Sequence, residues 1–398
     1  MADRKECIRS YKGEMVCWRR DFHKHPETGF EEIRTSRRIV EILEDFPGVS
    51  VVKNFCKTAV IATIEGNSDG PVIGIRADID ALPIVDQKDV DYKSQNPGVC
   101  HACGHDVHTT VALGVLKYYS EHRDELKGAL KVVFQPAEEG PAPGGAKLIT
   151  DSGQVDDIDV MIGFHTNPDH PVGTMLLRRN EMLASADNFI IAIKGTGGHG
   201  AYPHQTKDAL MTGVEVYNAL QNMLTRELDP VKSTVLSICS FNAGTPKGTN
   251  VIPPVVTMSG TVRTFDSEVR TFVLKRIKEI LESVCVLRGC SSEIDIETIS
   301  IALKNEDDMI DIFESVGNEV LGAENVSYME LPEMGYDDFA YYGLKSKASY
   351  FYFGTSKVDD LGKITFHHPL FDVDEECLCI GVELLTGIMD KITENMEV

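Results

Sequence analysis

The residues best suited to chemistry fall in four short segments. His101, Cys103, His105 and His108 stand in His-Ala-Cys-Gly-His-Asp-Val-His; Glu138 and Glu139 stand in Gln-Pro-Ala-Glu-Glu-Gly; His165 closes Gly-Phe-His; and His367-His368-Pro lies near the C-terminus. Thiolate, imidazole and carboxylate together make a borderline-soft donor set, suited to zinc or a neighbouring transition metal and poorly suited to calcium or magnesium. Taken singly, each residue has a plainer reading. One His among 12 is usually a surface or hydrogen-bonded residue, adjacent glutamates usually mark a solvated turn, and an isolated Cys is usually a small buried hydrophobe. What argues for a site is coincidence, because each segment follows or adjoins an expected strand.

The elements that must position these segments show in the apolar pattern. Thr58 to Ile64, Val72 to Ile79, Leu130 to Gln135 and Val160 to His165 are β-branched apolar runs expected to be buried strands, and Glu32 to Leu43 and Asp106 to Tyr119 are expected helices. Alternating strands and helices point to an α/β layered domain with a largely parallel sheet. Asp78 and Asp80, Glu138 and Glu139, and His165 then cluster at the carboxyl ends of strands, the edge where open α/β sheets bind ligands. From about Ala184 the rhythm changes: a strand over Asn188 to Lys194, a helix over Asp208 to Leu224, strands over Thr234 to Phe241 and Val255 to Thr264, a helix over Ser267 to Cys285, and a strand over Ser292 to Thr298. That is the β-α-β-β-α-β order of a ferredoxin-like unit. After Ile299 the α/β rhythm returns with a helix from Asp308, a strand over Ser349 to Phe353 and a helix from Glu375. The expectation is a discontinuous catalytic domain, 1–183 with 299–398, carrying an inserted α+β domain over 184–298.

Composition narrows the field further. At about 150 residues per domain, the 398 residues suggest two domains or three. The formal charge of −23 repels phosphate backbones and anionic lipid, so extended nucleic-acid or membrane binding is not expected. Gly248 to Val262, a long stretch free of acidic and basic residues, contains Pro253 and Pro254 and is too short to span a bilayer. Met1 to Arg20 mixes both charge signs without an apolar core, so no secretory leader is expected and the cytoplasm is the expected compartment. The ten cysteines, without repeated spacing, are then expected as thiols.

Longer motifs extend the pattern: Arg19 to Glu27 (Arg-Arg-Asp-Phe-His-Lys-His-Pro-Glu), Arg76 to Pro83 (Arg-Ala-Asp-Ile-Asp-Ala-Leu-Pro), Phe134 to Gly140, Gly197-Gly198-His199, Gly248 to Pro253, Gly260 to Phe265, Asp337 to Ala340 and His367 to Phe371. In these the chain resembles the zinc-dependent aminoacylase-type metallopeptidases, in the branch holding N-acyl-amino-acid amidohydrolases, hippurate hydrolases and auxin-conjugate hydrolases. The resemblance implies two divalent ions per subunit, zinc or manganese first and cobalt or nickel next, with Cys103 bridging as thiolate and His105, Glu139, His165 and His367 completing the set. It implies Glu138 as general base and Asp80 as the acid that orients a metal-binding imidazole. It makes the inserted unit a lid and dimerisation domain, from which His199 crosses to the partner's site to polarise the scissile carbonyl, and in which Asn250 and Arg263 bind the substrate's carboxylate. His367 rather than His368 is the position that matches. Gly200 stands where Ala is common, and Tyr336-Asp337-Asp338 where Ser-Glu-Asp is common, so the acyl pocket is expected to differ.

The resulting expectation is a homodimeric, binuclear metal-dependent amidohydrolase that cleaves small N-acyl amino acids to a carboxylate and a free amino acid. Two rivals stand beside it. A dipeptidase or carboxypeptidase would use the same machinery but need an acidic partner for a free α-amino group, and a catalytically silent binding protein would keep the fold without turnover.

Overall fold

The computed structural model describes residues 2–396. Its chain divides into two compact units: Met1–Met182 with Lys304–Pro332 and Asp337–Val398, and Leu183–Leu303 with Glu333–Tyr336.

The first unit is built on an eight-stranded sheet. In chain order its strands are β1 (Val49–Phe55), β2 (Ala59–Glu65), β3 (Ser68–Asp78), β4 (Lys127–Gln135), β5 (Val160–Pro171), β6 (Met175–Leu177), β7 (Val326–Tyr328) and β8 (Lys347–Ser356), laid side by side as β1-β2-β4-β3-β5-β8-β6-β7. The central run β4-β3-β5-β8 is parallel, while β1, β2 and β6 pair antiparallel with neighbours towards the edges. The central strands are buried on both faces, which is why they appear as unbroken apolar runs rather than alternating ones. Three helices cover one another beside them: α1 (Lys12–Lys24), α2 (His105–Glu121) and α3 (Glu376–Met396). Helix α2 is buried along nearly its whole length. It approaches its neighbours closely because Gly114 has no side chain; a Cβ there would lie 2.7 Å from Val382 and 2.8 Å from Met15.

Register then aligns the strand ends. Asp78 pairs with Gln135 across β3 and β4, and Tyr352 of β8 lies beside His165 of β5. The segments after β3 and β4, with His165 on β5, therefore share one edge with the start of α2. The expected strands and helices are present with ends shifted by a few residues. Helix α1, strand β1 and the three-residue strands β6 and β7 were not expected.

The second unit has a four-stranded antiparallel sheet in the order Thr234–Ala243, Val255–Thr264, Ser185–Lys194, Ser291–Ser300, with helices Ala209–Arg226 and Ser267–Arg288 packed on it. Phe189, Ile191, Ile193, Val216, Leu220, Val273 and Ile277 fill the space between. Both helices begin on an aspartate cap: Asp208 accepts from Met211 N–H, and Asp266 accepts from Glu268 and Val269 N–H. Glu333–Tyr336 joins this unit through Ala184, whose N–H donates to the Glu333 and Gly335 carbonyls. Among the described residues no helix is long and apolar enough to cross a membrane, and none of the ten cysteines is in a disulfide.

Candidate metal centre

Four pieces of backbone bring the donors of the first unit together. Asp78 ends β3 with Asp80 two residues on, Glu138 and Glu139 follow β4 after Ala137 at φ 51°, and His165 projects from β5. Cys103 and His105 flank Gly104, which turns the chain into α2 at φ 89°, and a Cβ at Gly104 would strike Thr166 Oγ1 at 2.4 Å. His367, at φ 61°, donates its N–H to the Ala102 carbonyl at 2.8 Å. Donor atoms of Cys103, Glu139 and His367 lie within 4.8 Å of one another, as do those of His105, Glu138 and Glu139. Cys103 Sγ is also 3.5 Å from His165 Nε2, and Glu139 Oε1 is 3.0 Å from His367 Nε2. Cys103 thus lies within reach of both His165 and the Glu139–His367 pair.

Hydrogen bonds behind the site select which ring nitrogens face it. His165 Nδ1 donates to the Thr166 carbonyl at 2.8 Å, and His105 Nδ1 donates to the Asp80 carbonyl at 2.9 Å with Asp80 Oδ1 at 3.3 Å. Each ring is left with an Nε2 lone pair, the arrangement that second partners of metal-binding histidines produce. His105 Nε2 is buried without a hydrogen-bond partner, where such a group costs about 1–3 kcal/mol; close to it Glu139 Oε1 faces the His367 imidazole and Asp80 Oδ1 faces the back of the His105 ring. Imidazole and carboxylate donors gathered beside a thiol fit a divalent cation.

Two sequence candidates differ from their neighbours. The two nitrogens of His108 are already engaged: Nδ1 donates to Asp78 Oδ1 at 2.5 Å and Nε2 accepts Thr166 N–H at 2.9 Å. That ring braces β3 against β5. His368 Nδ1 accepts Leu370 N–H at 3.1 Å, which shapes the turn after His367.

The field inside the cluster is strongly negative. Burial pushes the Cys103 thiol well up, and the Glu139, Glu138 and Asp78 carboxylates add to the rise. Burial likewise lifts Glu138 well above the usual carboxylate range, reinforced by Asp337, while its Oε2 stands 3.9 Å from His105 Nε2. For Glu139 burial is outweighed by the imidazoles of His367 and His105, which lower it. These opposite directions divide neighbouring carboxyl groups into one fit to hold a proton and one fit to stay anionic. Behind them Arg76 is fully buried and bonds Asp78 at 2.5 Å, Asp337 at 2.8 Å and Asp338 at 3.1 Å. Sequence reading quoted Arg76 only as part of a motif and Asp337 only as a departure in the acyl pocket, and gave neither this role behind the carboxylates. The only local signal was Arg76 two residues before Asp78, hence on the same face of β3.

The remaining candidates lie in the second unit. His199 is exposed in a two-residue strand, Gly198–His199, paired with Val251–Ile252, and its Nδ1 accepts Ala201 N–H at 3.1 Å. The Asn250 carbonyl accepts Gly200 N–H at 2.7 Å, and its side chain is exposed. Arg263 is half-buried on Val255–Thr264, its guanidinium 4.9 Å from the centre of the Tyr336 ring, and among the described residues it forms no salt bridge, the Asp187 carboxylate acting on it from further off. Burial lowers its pKa.

Comparison with known proteins agrees with this chemistry. The profile of Peptidase family M20/M25/M40 matches residues 74–391. YhaA of Bacillus subtilis (strain 168), named as an amidohydrolase, is 40% identical over 374 residues, covering 94% of this chain and 93% of its own. An N-acyl-L-amino acid amidohydrolase of Geobacillus stearothermophilus is 40% identical over 289 residues, covering 73% and 77%. Among solved structures, the YXEP protein of Bacillus subtilis, described as a dinuclear metal binding peptidase from the M20 family, superposes with a TM-score of 0.82 at 32% identity over 97% of this chain and 99% of that one. Near-complete coverage in sequence and in fold makes this chain a member of the M20/M25/M40 peptidase family, and a hydrolase that uses divalent metal.

Proposed function

We propose that this chain hydrolyses the amide bond of N-acyl amino acids, releasing a carboxylate and a free amino acid. In this reading the Cys103 thiolate with His105, His165, Glu139 and His367 would hold two divalent ions, zinc or manganese, one of them at Glu139 and His367. The ions supply Lewis-acid polarisation of the carbonyl and bring the pKa of water down to about 7. Glu138 takes the proton of the attacking water and returns it to the departing nitrogen as the C–N bond breaks. Its burial suits it to hold that proton between the two steps. Asp80 fixes the His105 ring through Nδ1. Arg263 and Asn250 receive the substrate's α-carboxylate, a task for which a half-buried guanidinium with no salt bridge among the described residues is suited.

His199 completes the site from a second copy of the chain, donating to the carbonyl oxygen as negative charge develops there, a contribution of about 3–4 kcal/mol. The helix Ala209–Arg226 supports a homodimer, because Leu210, Met211, Val214 and Tyr217 are all exposed along it.

The observation that carries the reading is the convergence of the Cys103, Glu139 and His367 donor atoms, and of those of His105, Glu138 and Glu139, each set within 4.8 Å, with His105 Nε2 buried and unpartnered among them. Glu138→Gln tests the division of labour. Two ions per chain should remain bound while kcat falls by about 10²–10⁴; loss of both ions, or full activity, would reject Glu138 as the base.

A further inference from the structure

A buried ionic chain lies alongside the proposed metal centre and none of its members is a proposed ligand. Lys88 is 6% exposed, His23 and Asp106 are fully buried, and Arg19 is fully buried beside them. The Lys88 ammonium donates to His23 Nε2 at 2.7 Å and to the Phe371 carbonyl at 2.7 Å, with Asp86 Oδ1 at 3.5 Å. His23 Nδ1 then donates to Asp106 Oδ2 at 2.7 Å, and Arg19 Nε reaches the same oxygen at 2.8 Å. Arg19 also bonds Asp372 at 3.0 Å.

Both ends of this chain of contacts meet proposed ligands. Asp106 follows His105 directly in the first turn of α2. Phe371 closes the turn His367–Phe371, in which Phe371 N–H donates to the His368 carbonyl at 2.9 Å. That turn begins with strain, because His367 sits at φ 61°. A non-glycine residue held there is strained and persists only where its surroundings over-determine it. The restraints are the Ala102 carbonyl at His367 N–H, the Gln87 N–H at the Pro369 carbonyl (3.0 Å), and Lys88 at Phe371. Of these only Lys88 places a buried charge on the turn. Burying an ammonium is costly, and an apolar residue would fill the same volume without that cost.

We propose that Lys88 is a positioning residue for the ion assigned to Glu139 and His367: it holds the strained His367 turn and, through His23 and Asp106, ties that turn to the start of α2. This rests on the ligand assignment above and adds a residue outside it.

The test is a titration of metal-depleted protein with Co²⁺ in the absence of substrate, following the number of ions bound and the visible and thiolate-to-cobalt bands. Wild type should bind two ions. Lys88→Met should bind one with unchanged affinity and the other about 10–100-fold more weakly, as expected when a partner behind the ligands is lost. Lys88→Gln, which keeps a donor for Phe371, should fall between. Unchanged binding of both ions in Lys88→Met would overturn the proposal alone. Equal weakening of both ions, or a metal-free variant that no longer melts cooperatively, would also overturn it, since Lys88 would then hold the fold rather than the turn. A wild-type chain taking fewer than two Co²⁺ would remove the ligand assignment and this proposal with it.

Discussion

Histidines three residues apart on one helix do different work here, and what separates them is the partner at Nδ1 and Nε2. His105 spends one nitrogen on the Asp80 carbonyl and leaves the other free, whereas His108 spends both. Residue type and spacing could not make that distinction. Arg263 poses the converse case, a cation held near an aromatic face, with the Asp187 carboxylate of its own unit already bonded to Arg270. If the substrate's carboxylate is the anion that Arg263 binds, Arg263→Ala should lower kcat/KM for N-acyl amino acids by roughly 10–150-fold, the loss of about 1.5–3 kcal/mol from a charge-assisted hydrogen bond. Esterified or amidated substrates should lose far less. Steady-state kinetics on matched acid and ester pairs reads this directly, and equal losses would make Arg263 a structural residue of the sheet.

Among the elements, helix α1 is fastened by ions as much as by apolar contacts. Arg19 reaches Asp372, which also accepts from Tyr92 at 2.8 Å and Lys357 at 3.0 Å. Burial opposes ionisation of Asp372, but Arg19 and Lys357 outweigh it and hold the carboxyl at about 2, below its ordinary 3.8. A lowered pKa in the folded state contributes stability that is complete above about pH 4 and is lost as the pH falls from there towards 2, here roughly 2 kcal/mol. Urea unfolding of metal-free protein between pH 5 and pH 2 should show that loss, about half of it by pH 3, and Asp372→Asn should be less stable at pH 5 with a flatter dependence below it. An unchanged slope in the variant would place the acid sensitivity elsewhere.

The same helix shows where sequence reading stops. The strands β2 to β5 and the helices of the second unit were legible because burial imposes a pattern on consecutive residues, and the four ligand-bearing segments were legible because they follow those strands. Helix α1 was not, because Arg19 and His23 face inward and break the apolar stripe that Met15, Trp18 and Phe22 would otherwise make. Strands β6 and β7 are too short to carry a pattern. Arg76 with Asp337, and Lys88 with Phe371, meet across long separations in sequence, so no local signal announces either contact.

At the scale of the whole molecule, the proposed chemistry is shared between copies of the chain. If His199 serves the partner's site, His199→Ala and Glu138→Gln, each nearly inactive alone, should recover activity when subunits exchange. A mixed dimer has one site with both lesions and one with neither, so equal amounts should restore about a quarter of all sites. No recovery, with exchange shown independently, would confine His199 to its own subunit's site or to no catalytic role. The net charge of −23 does not oppose an anionic substrate under this account, because the cations concentrate at the site itself. The central claim is tested most directly by measuring amino-acid release from acetyl- and benzoyl-amino acids, with dipeptides alongside, as metal-depleted protein is reloaded with manganese or zinc. The account predicts that activity follows the binding of two ions per chain and favours N-acyl amino acids with a free α-carboxylate. Two ions bound without release from any N-acyl amino acid, or a preference for dipeptides, would contradict it.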